Sequence, residues 1–247
     1  MMLFKGFMLE GLFQTLRADG TVPAWTMMIF IVLCIAAGYF LGSLNFAVML
    51  SNKRYHDDIR NHGSGNGGTT NMLRTFGRLA AVMTFVGDIV KGMVAVLIGS
   101  ALLGLTFGGH MAAFFCMLGH MFPIFYKFKG GKGVATSIGA IFLLSPFVAL
   151  IMILVFAIIV IGTKYVSLGS IMAALIYPVL LYRVNLIQDE AGWFVANNIG
   201  WGFDIIFAFL MMVMVVFMHK ENIKRLLAGK ESKVSFKKKN KGEEDGK

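Results

Sequence analysis

Several apolar runs in this chain are long enough to cross a lipid bilayer, which as helix takes about 20 residues. No other feature restricts the fold as much. Of the 247 residues, 57% are hydrophobic and only 15% are charged, and the mean hydropathy is +0.74. A water-soluble fold could not cover its surface with so few charges. The length suits one compact membrane domain. Read as helices, the runs are Thr26–Leu50, Leu79–Leu105, His110–Tyr126, Val134–Leu144, Pro146–Ile161, Ser167–Tyr182 and Ile205–Met218. Ser145-Pro146 divides the fourth from the fifth, because proline disfavours helix at the residue before it. A single kinked helix is the alternative there. The fold class expected is an all-α integral membrane protein of about seven transmembrane helices.

The net charge of +10 could suggest nucleic acid, but its placement argues otherwise. Ten of the 23 Lys and Arg follow His219, and most others sit in loops between apolar runs. Lys53, Arg54, Arg60, Arg74 and Arg78 lie in one such loop, and Lys127, Lys129 and Lys132 in another. The turns near Gly108-Gly109, Ser145-Pro146 and Gln188–Trp201 hold no Lys or Arg. By the positive-inside rule the basic loops face the cytoplasm. The N-terminus is then outside and the C-terminus inside, which requires an odd number of spans. Seven satisfies this, and so does five.

Three domains are expected. Residues 1–22 read as an interfacial amphipathic extension, with Phe4, Phe7, Met8, Leu12, Phe13 and Leu16 at helical spacing. Residues 23–230 form the membrane domain. Residues 231–247 read as a basic, disordered cytoplasmic tail without a role in the site. Cys34 and Cys116 lie in apolar runs without metal-ligand spacing, so they read as small buried hydrophobes.

Four motifs carry chemistry. In the stretch 58–74, Gly63, Gly65, Gly67 and Gly68 surround Ser64 and Asn66. Glycines let backbone N–H groups converge on an anion. Thr69, Thr70, Asn71 and Arg74 add donors, and a helix start near Thr70 would favour negative charge. A flexible surface loop is the plainer reading. The stretch 119–136 holds Lys129 and Lys132 among glycines, but Gly133 follows Lys132 where a P-loop needs Ser or Thr. It is a second phosphate cradle or a simple membrane anchor. Asp88 and Lys91, three apart inside an apolar run, read best as a pair that fixes helix packing. His219 and Asn222 share a helix face at the membrane boundary, where His219 can bind phosphate or take a proton. Tyr165, Ser167 and Ser170 add hydroxyls at that level or cap a helix. No Ser-His-Asp order, carboxylate pair or metal spacing is present, and no metal or cofactor is expected.

These motifs resemble the bacterial acyl-phosphate:glycerol-3-phosphate acyltransferases. The matching pieces run in family order over roughly residues 38–230. They include Asp58–Arg60, Gly63–Arg74, Asp88–Gly92, Gly119–Pro123, Phe128–Thr136, Tyr165–Leu168 and His219–Leu226. The resemblance implies seven helices with cytoplasmic motif loops in the bacterial inner membrane. It implies transfer of a fatty acyl group from acyl phosphate to the 1-hydroxyl of glycerol 3-phosphate, giving 1-acylglycerol 3-phosphate. Substrate-binding residues are then Ser64, Asn66, Thr70, Asn71, Arg74, Lys132, Ser167, His219 and Asn222, with His219 also the candidate base. Partners are the two substrates, membrane lipid, and transiently the soluble enzyme that makes acyl phosphate. Gly67 and Thr69 depart from common family residues without removing a ligand, whereas Met218 stands where many members have Arg, a change that weakens phosphate attraction. A transporter of organic phosphates is the alternative, but it would place polar groups near the bilayer midplane within repeated halves. No internal repeat is visible.

Overall fold

The computed structural model describes residues 11–17, 23–190 and 202–234. Among them every regular element is helical: α1 (11–17), α2 (Met27–Ser43), α3 (Phe46–Tyr55), α4 (Thr69–Phe76), α5 (Arg78–Leu103), α6 (His110–Met121), α7 (Val134–Leu144), α8 (Pro146–Thr163), α9 (Val166–Glu190), α10 (Phe203–Met218) and α11 (Lys220–Leu227). A π-helical segment, Gly104–Gly109, joins α5 to α6.

The elements follow local chemistry. The first expected run is broken at Leu44-Asn45, where the Asn45 side chain accepts from the Val48 N–H at 3.0 Å and starts a new helix, α3. Ser145 is extended ahead of Pro146, so α7 and α8 are separate, as the sequence suggested. Helix α9 continues to Glu190, past the expected end at Tyr182, and keeps Pro178 inside it. Part of the expected turn at Gln188–Trp201 is therefore helix, and residues 191–201 lie outside the described ones.

Seven crossings do not follow from length and composition. Among the described residues four segments qualify as spans: Met27–Tyr55, Arg78–Tyr126, Pro146–Thr163 and Val166–Ile187. A fifth arises if α10 and α11, bent by 57° at His219, count as one. At 11 residues, α7 is about 16 Å long, well short of the bilayer core. The chain is a multi-pass membrane protein, with large apolar side chains such as Val32, Leu154, Ile158, Ile161 and Phe209 directed outward.

Backbone contacts at small residues set the packing. A Cβ on Gly42 would lie 2.0 Å from the Cys116 carbonyl oxygen, and one on Gly38 would lie 2.8 Å from that of Ala112. Helices α2 and α6 therefore run parallel in direct contact. Gly99 meets Gly108 of the π-helical segment, and Gly139 meets Ile89, so α5 touches both its neighbours backbone to backbone. Leu144 lies by Gly109 and Gly133 by Met117, so α7 runs antiparallel to α6. Such close approach is a usual basis of helix association in lipid. Phe13 of α1 is buried, with its ring 5.6 Å from Phe30, among Cys34, Leu103 and Met111. Residues 1–10 and 18–22 of the expected N-terminal extension lie outside the described ones.

Asp88 and Lys91 are paired at 2.8 Å and almost fully buried. The Lys91 ammonium also donates to the carbonyls of Gly42 (3.2 Å) and Leu44 (2.9 Å) and to His120 Nδ1 (2.8 Å). The pair thus joins α5 to the end of α2 and the end of α6, the packing role expected of it.

Candidate active site

Two glycine-rich loops meet at one end of the helices. The Gly67 N–H donates to the Gly130 carbonyl at 3.2 Å, and the Asn45 amide donates to the Gly67 carbonyl at 3.1 Å. Gly130 and Gly131 donate to the carbonyls of Met121 and His120, which ties the second loop to the end of α6. No side chain fits at Gly131, because a Cβ would lie 2.0 Å from His120 Nε2. Arg60 adds a clamp: it pairs with Asp58 at 2.6 Å and donates to the carbonyls of Tyr126 (2.7 Å) and Lys129 (3.2 Å). Arg60 holds the Asp58 carboxyl below the usual carboxylate range. The Asp58–Arg60 motif therefore joins the loops from outside the cleft.

The loops form the polar end of a cleft of about 700 Å³. All nine expected site residues line it. Ser64 and Asn66 come from the first glycine loop, and Thr70, Asn71 and Arg74 from α4. Lys132 comes from the second loop, Ser167 from the start of α9, and His219 and Asn222 from the α10–α11 bend. The N-terminus of α4 opens on the cleft, where free N–H groups and the helix dipole favour an anion. Thr69 lines it too, and its buried hydroxyl has no partner among the described residues.

The nine side chains are not equivalent. Asn71 is used differently from the expectation of a free donor. Its amide nitrogen donates to the carbonyls of Ile59, His62 and Asn66, and its oxygen accepts from the Ser64 N–H at 3.1 Å. It shapes the loop and has no hydrogen left for a ligand. His219 is buried, and Nδ1 lies 2.7 Å from the Val215 carbonyl. A carbonyl only accepts, so Nδ1 carries the proton and Nε2 is the nitrogen left for chemistry. Lys132 donates to the Asn222 side-chain oxygen. Burial, aided by the charges of Arg225 and Arg74, pulls the Lys132 ammonium down to about 8 against the opposing charge of Glu231.

Sequence reasoning missed Glu231. It lines the cleft, and its carboxylate accepts from Ser167 (2.9 Å), Asn222 (2.7 Å) and Arg225 (2.7 Å). It occupies the first position of the expected free tail, of which residues 231–234 are described and 235–247 are not. A glycine two residues earlier, Gly229, was the only signal that the chain turns back there.

Away from the loops the cleft becomes apolar. Phe85, Met93, Phe142, Ile153 and Phe156 line it. One side of the cleft can therefore hold anions while the other accepts hydrocarbon.

Comparison with known proteins gives the family. The family described as "Glycerol-3-phosphate acyltransferase" matches residues 32–229. A glycerol-3-phosphate acyltransferase of Thermoanaerobacter pseudethanolicus is 41% identical over 208 residues, covering 83% of this chain and 96% of that one. One from Neisseria meningitidis serogroup C is 41% identical over 207 residues, covering 82% and 96%. Among solved structures, PlsY (YgiH), an integral membrane glycerol 3-phosphate acyltransferase in its glycerol 3-phosphate form, superposes with a TM-score of 0.69 at 35% identity. That match covers 83% of this chain and 96% of that one. Its lysophosphatidic acid form gives a TM-score of 0.65 at 33% identity, with 83% and 95% covered. With that coverage and identity, set beside a cleft that joins an anion site to an apolar channel, this chain belongs to the glycerol-3-phosphate acyltransferase family.

Proposed function

We propose that this acyltransferase moves a fatty acyl group from an acyl phosphate to the 1-hydroxyl of glycerol 3-phosphate. The products are 1-acylglycerol 3-phosphate and inorganic phosphate, in the first acylation step of phospholipid synthesis. The single observation that carries the reading is the cleft, which has anion donors from four separate segments at one end and aromatic and aliphatic side chains at the other. A phosphorylated acceptor and an acylated phosphate suit those two ends.

An acyl phosphate is already activated, so no acyl-enzyme is needed. The glycerol hydroxyl oxygen attacks the acyl carbon, and the bond from that carbon to the phosphate oxygen breaks. Lys132, Arg74 and the N–H groups at the start of α4 stabilise the charge that gathers on the departing phosphate. Holding hydroxyl and carbonyl in line supplies much of the rate. The hydroxyl proton passes to His219 Nε2 or to a substrate phosphate. His219→Ala separates these: a loss confined to glycerol 3-phosphate binding assigns the proton to the substrate.

The same reading places the motif loops on the cytoplasmic face of the bacterial inner membrane. Seven crossings by α2, α5, α6, α7, α8, α9 and α10 would leave the N-terminus outside and the C-terminus inside. A cytoplasmic opening also suits brief contact with the soluble enzyme that makes acyl phosphate.

The test is purified protein in detergent with labelled glycerol 3-phosphate and an acyl phosphate. Labelled lysolipid should appear without added metal or nucleotide. Activity with acyl-CoA or acyl-carrier protein but not with acyl phosphate would refute the proposed donor.

A further inference from the structure

We propose that Glu231 is a positioning residue of the anion site, which aims Lys132 into the cleft by fixing the Asn222 amide between them.

The argument starts with how the chain reaches the site. Helix α11 ends in a tight turn, with the Lys230 N–H on the Arg225 carbonyl (2.7 Å), the Gly229 N–H on that of Leu226 (3.0 Å), and Gly229 at φ +66°. This closure favours glycine and sends the chain back over the helix. The segment is held again further on. The Val234 N–H donates to the Lys164 carbonyl at 2.9 Å, and the Lys233 ammonium lies 5.5 Å from the centre of the Tyr165 ring. Glu231 is therefore delivered by a strap fixed at both ends, and its side chain is 6% exposed.

Its hydrogen bonds then settle an ambiguity of orientation. An amide can present either its oxygen or its nitrogen to a neighbour. A carboxylate only accepts, so Glu231 Oε1 requires the nitrogen of Asn222. That leaves the Asn222 oxygen for the Lys132 ammonium, which donates to it. The same Oε1 takes the Ser167 hydroxyl, and Oε2 holds Arg225. One carboxylate thus coordinates groups from α9 and α11 around a cation from the second glycine loop. Without it, the Asn222 amide is free to turn its nitrogen toward Lys132 and repel it.

The charged and titratable groups facing Lys132 are Arg74 from α4, His219 at the α10–α11 bend, Arg225 from α11 and Glu231 from the strap. Glu231 is the negative charge among them and opposes the effect of burial. Replacing it with a neutral group should make Lys132 lose its proton at lower pH.

Labelling of Lys132 by trace acetic anhydride across pH, read by mass spectrometry on the full chain in detergent, measures that loss directly. It needs no turnover, so it stands even if the acyl-phosphate reading fails. In Glu231→Gln the labelling midpoint should move to lower pH by about one unit. This proposal rests on the acyltransfer reading only for a second readout, in which KM for glycerol 3-phosphate should rise about tenfold. Glu231→Asp keeps the charge but shortens the reach. Its midpoint should stay near the wild-type one while KM rises, which covers the case where the glutamine variant does not fold. An unmoved midpoint in Glu231→Gln, or an unchanged KM in Glu231→Asp, overturns the proposal. A KM below the wild-type one in either variant also overturns it, because the carboxylate would then be a competitor for the anion site.

Discussion

Lys91 shows how one residue can hold a membrane fold together. Its ammonium is 3% exposed, touches Asp88, and serves two carbonyls and one imidazole nitrogen. Methionine would fill the space but leave the Asp88 charge with only the His120 ring, 3.4 Å away, beside it and both carbonyls open. Breaking a buried pair in this way costs about 3–5 kcal/mol. Lys91→Met should lower the thermal midpoint in detergent sharply, and adding Asp88→Asn should recover part of the loss. A single variant as stable as wild type would remove Lys91 from this role. The pair itself was legible, because the two charges stand three apart in an apolar run. Its partners were not, because Gly42, Leu44 and His120 reach it through tertiary packing. Asn71 was misjudged for a similar reason. Its residue type suits a ligand donor, and only the folded loop shows three backbone carbonyls competing for it.

Among the elements, hydrophobic runs and breaker residues placed most helices correctly. Pro146 marked the α7–α8 junction, and the glycine loops marked where α4 and α7 begin. The signals failed where tertiary contacts prevailed. Asn45 starts a helix inside what reads as one run, and Pro178 is absorbed within α9. Glycines at helix crossings leave no periodic signature, yet they set the spacing. Gly42→Ala would drive a methyl group to 2.0 Å from the Cys116 carbonyl oxygen, so α2 and α6 must separate. The expected loss is about 1–3 kcal/mol, read as a lower unfolding midpoint in detergent. Gly162→Ala, where nothing lies within 4 Å of the added carbon, is the control and should leave the midpoint unchanged. Equal stability of both variants would show that the α2–α6 contact is not close.

For the whole molecule, the sequence conveyed that scattered polar motifs meet at one end, and the cleft collects them there. What it could not convey was the number of crossings, because α7 is too short to be judged by length and α10 bends by 57° into α11. Sidedness is open to a direct test, because Cys34 and Cys116 are both buried and should not react with a membrane-impermeant maleimide. Lys53→Cys and Gly202→Cys place exposed thiols near the motif loops and at the start of α10. In inside-out vesicles the first should label and the second should not, and right-side-out vesicles should reverse the pattern. Labelling of both from one side would break the proposed topology. The backbone bond from Gly67 to Gly130 has a further effect. Since the second loop is also tied to the end of α6, neither loop can fray alone. The two halves of the binding surface gain and lose order together, as one cooperative unit.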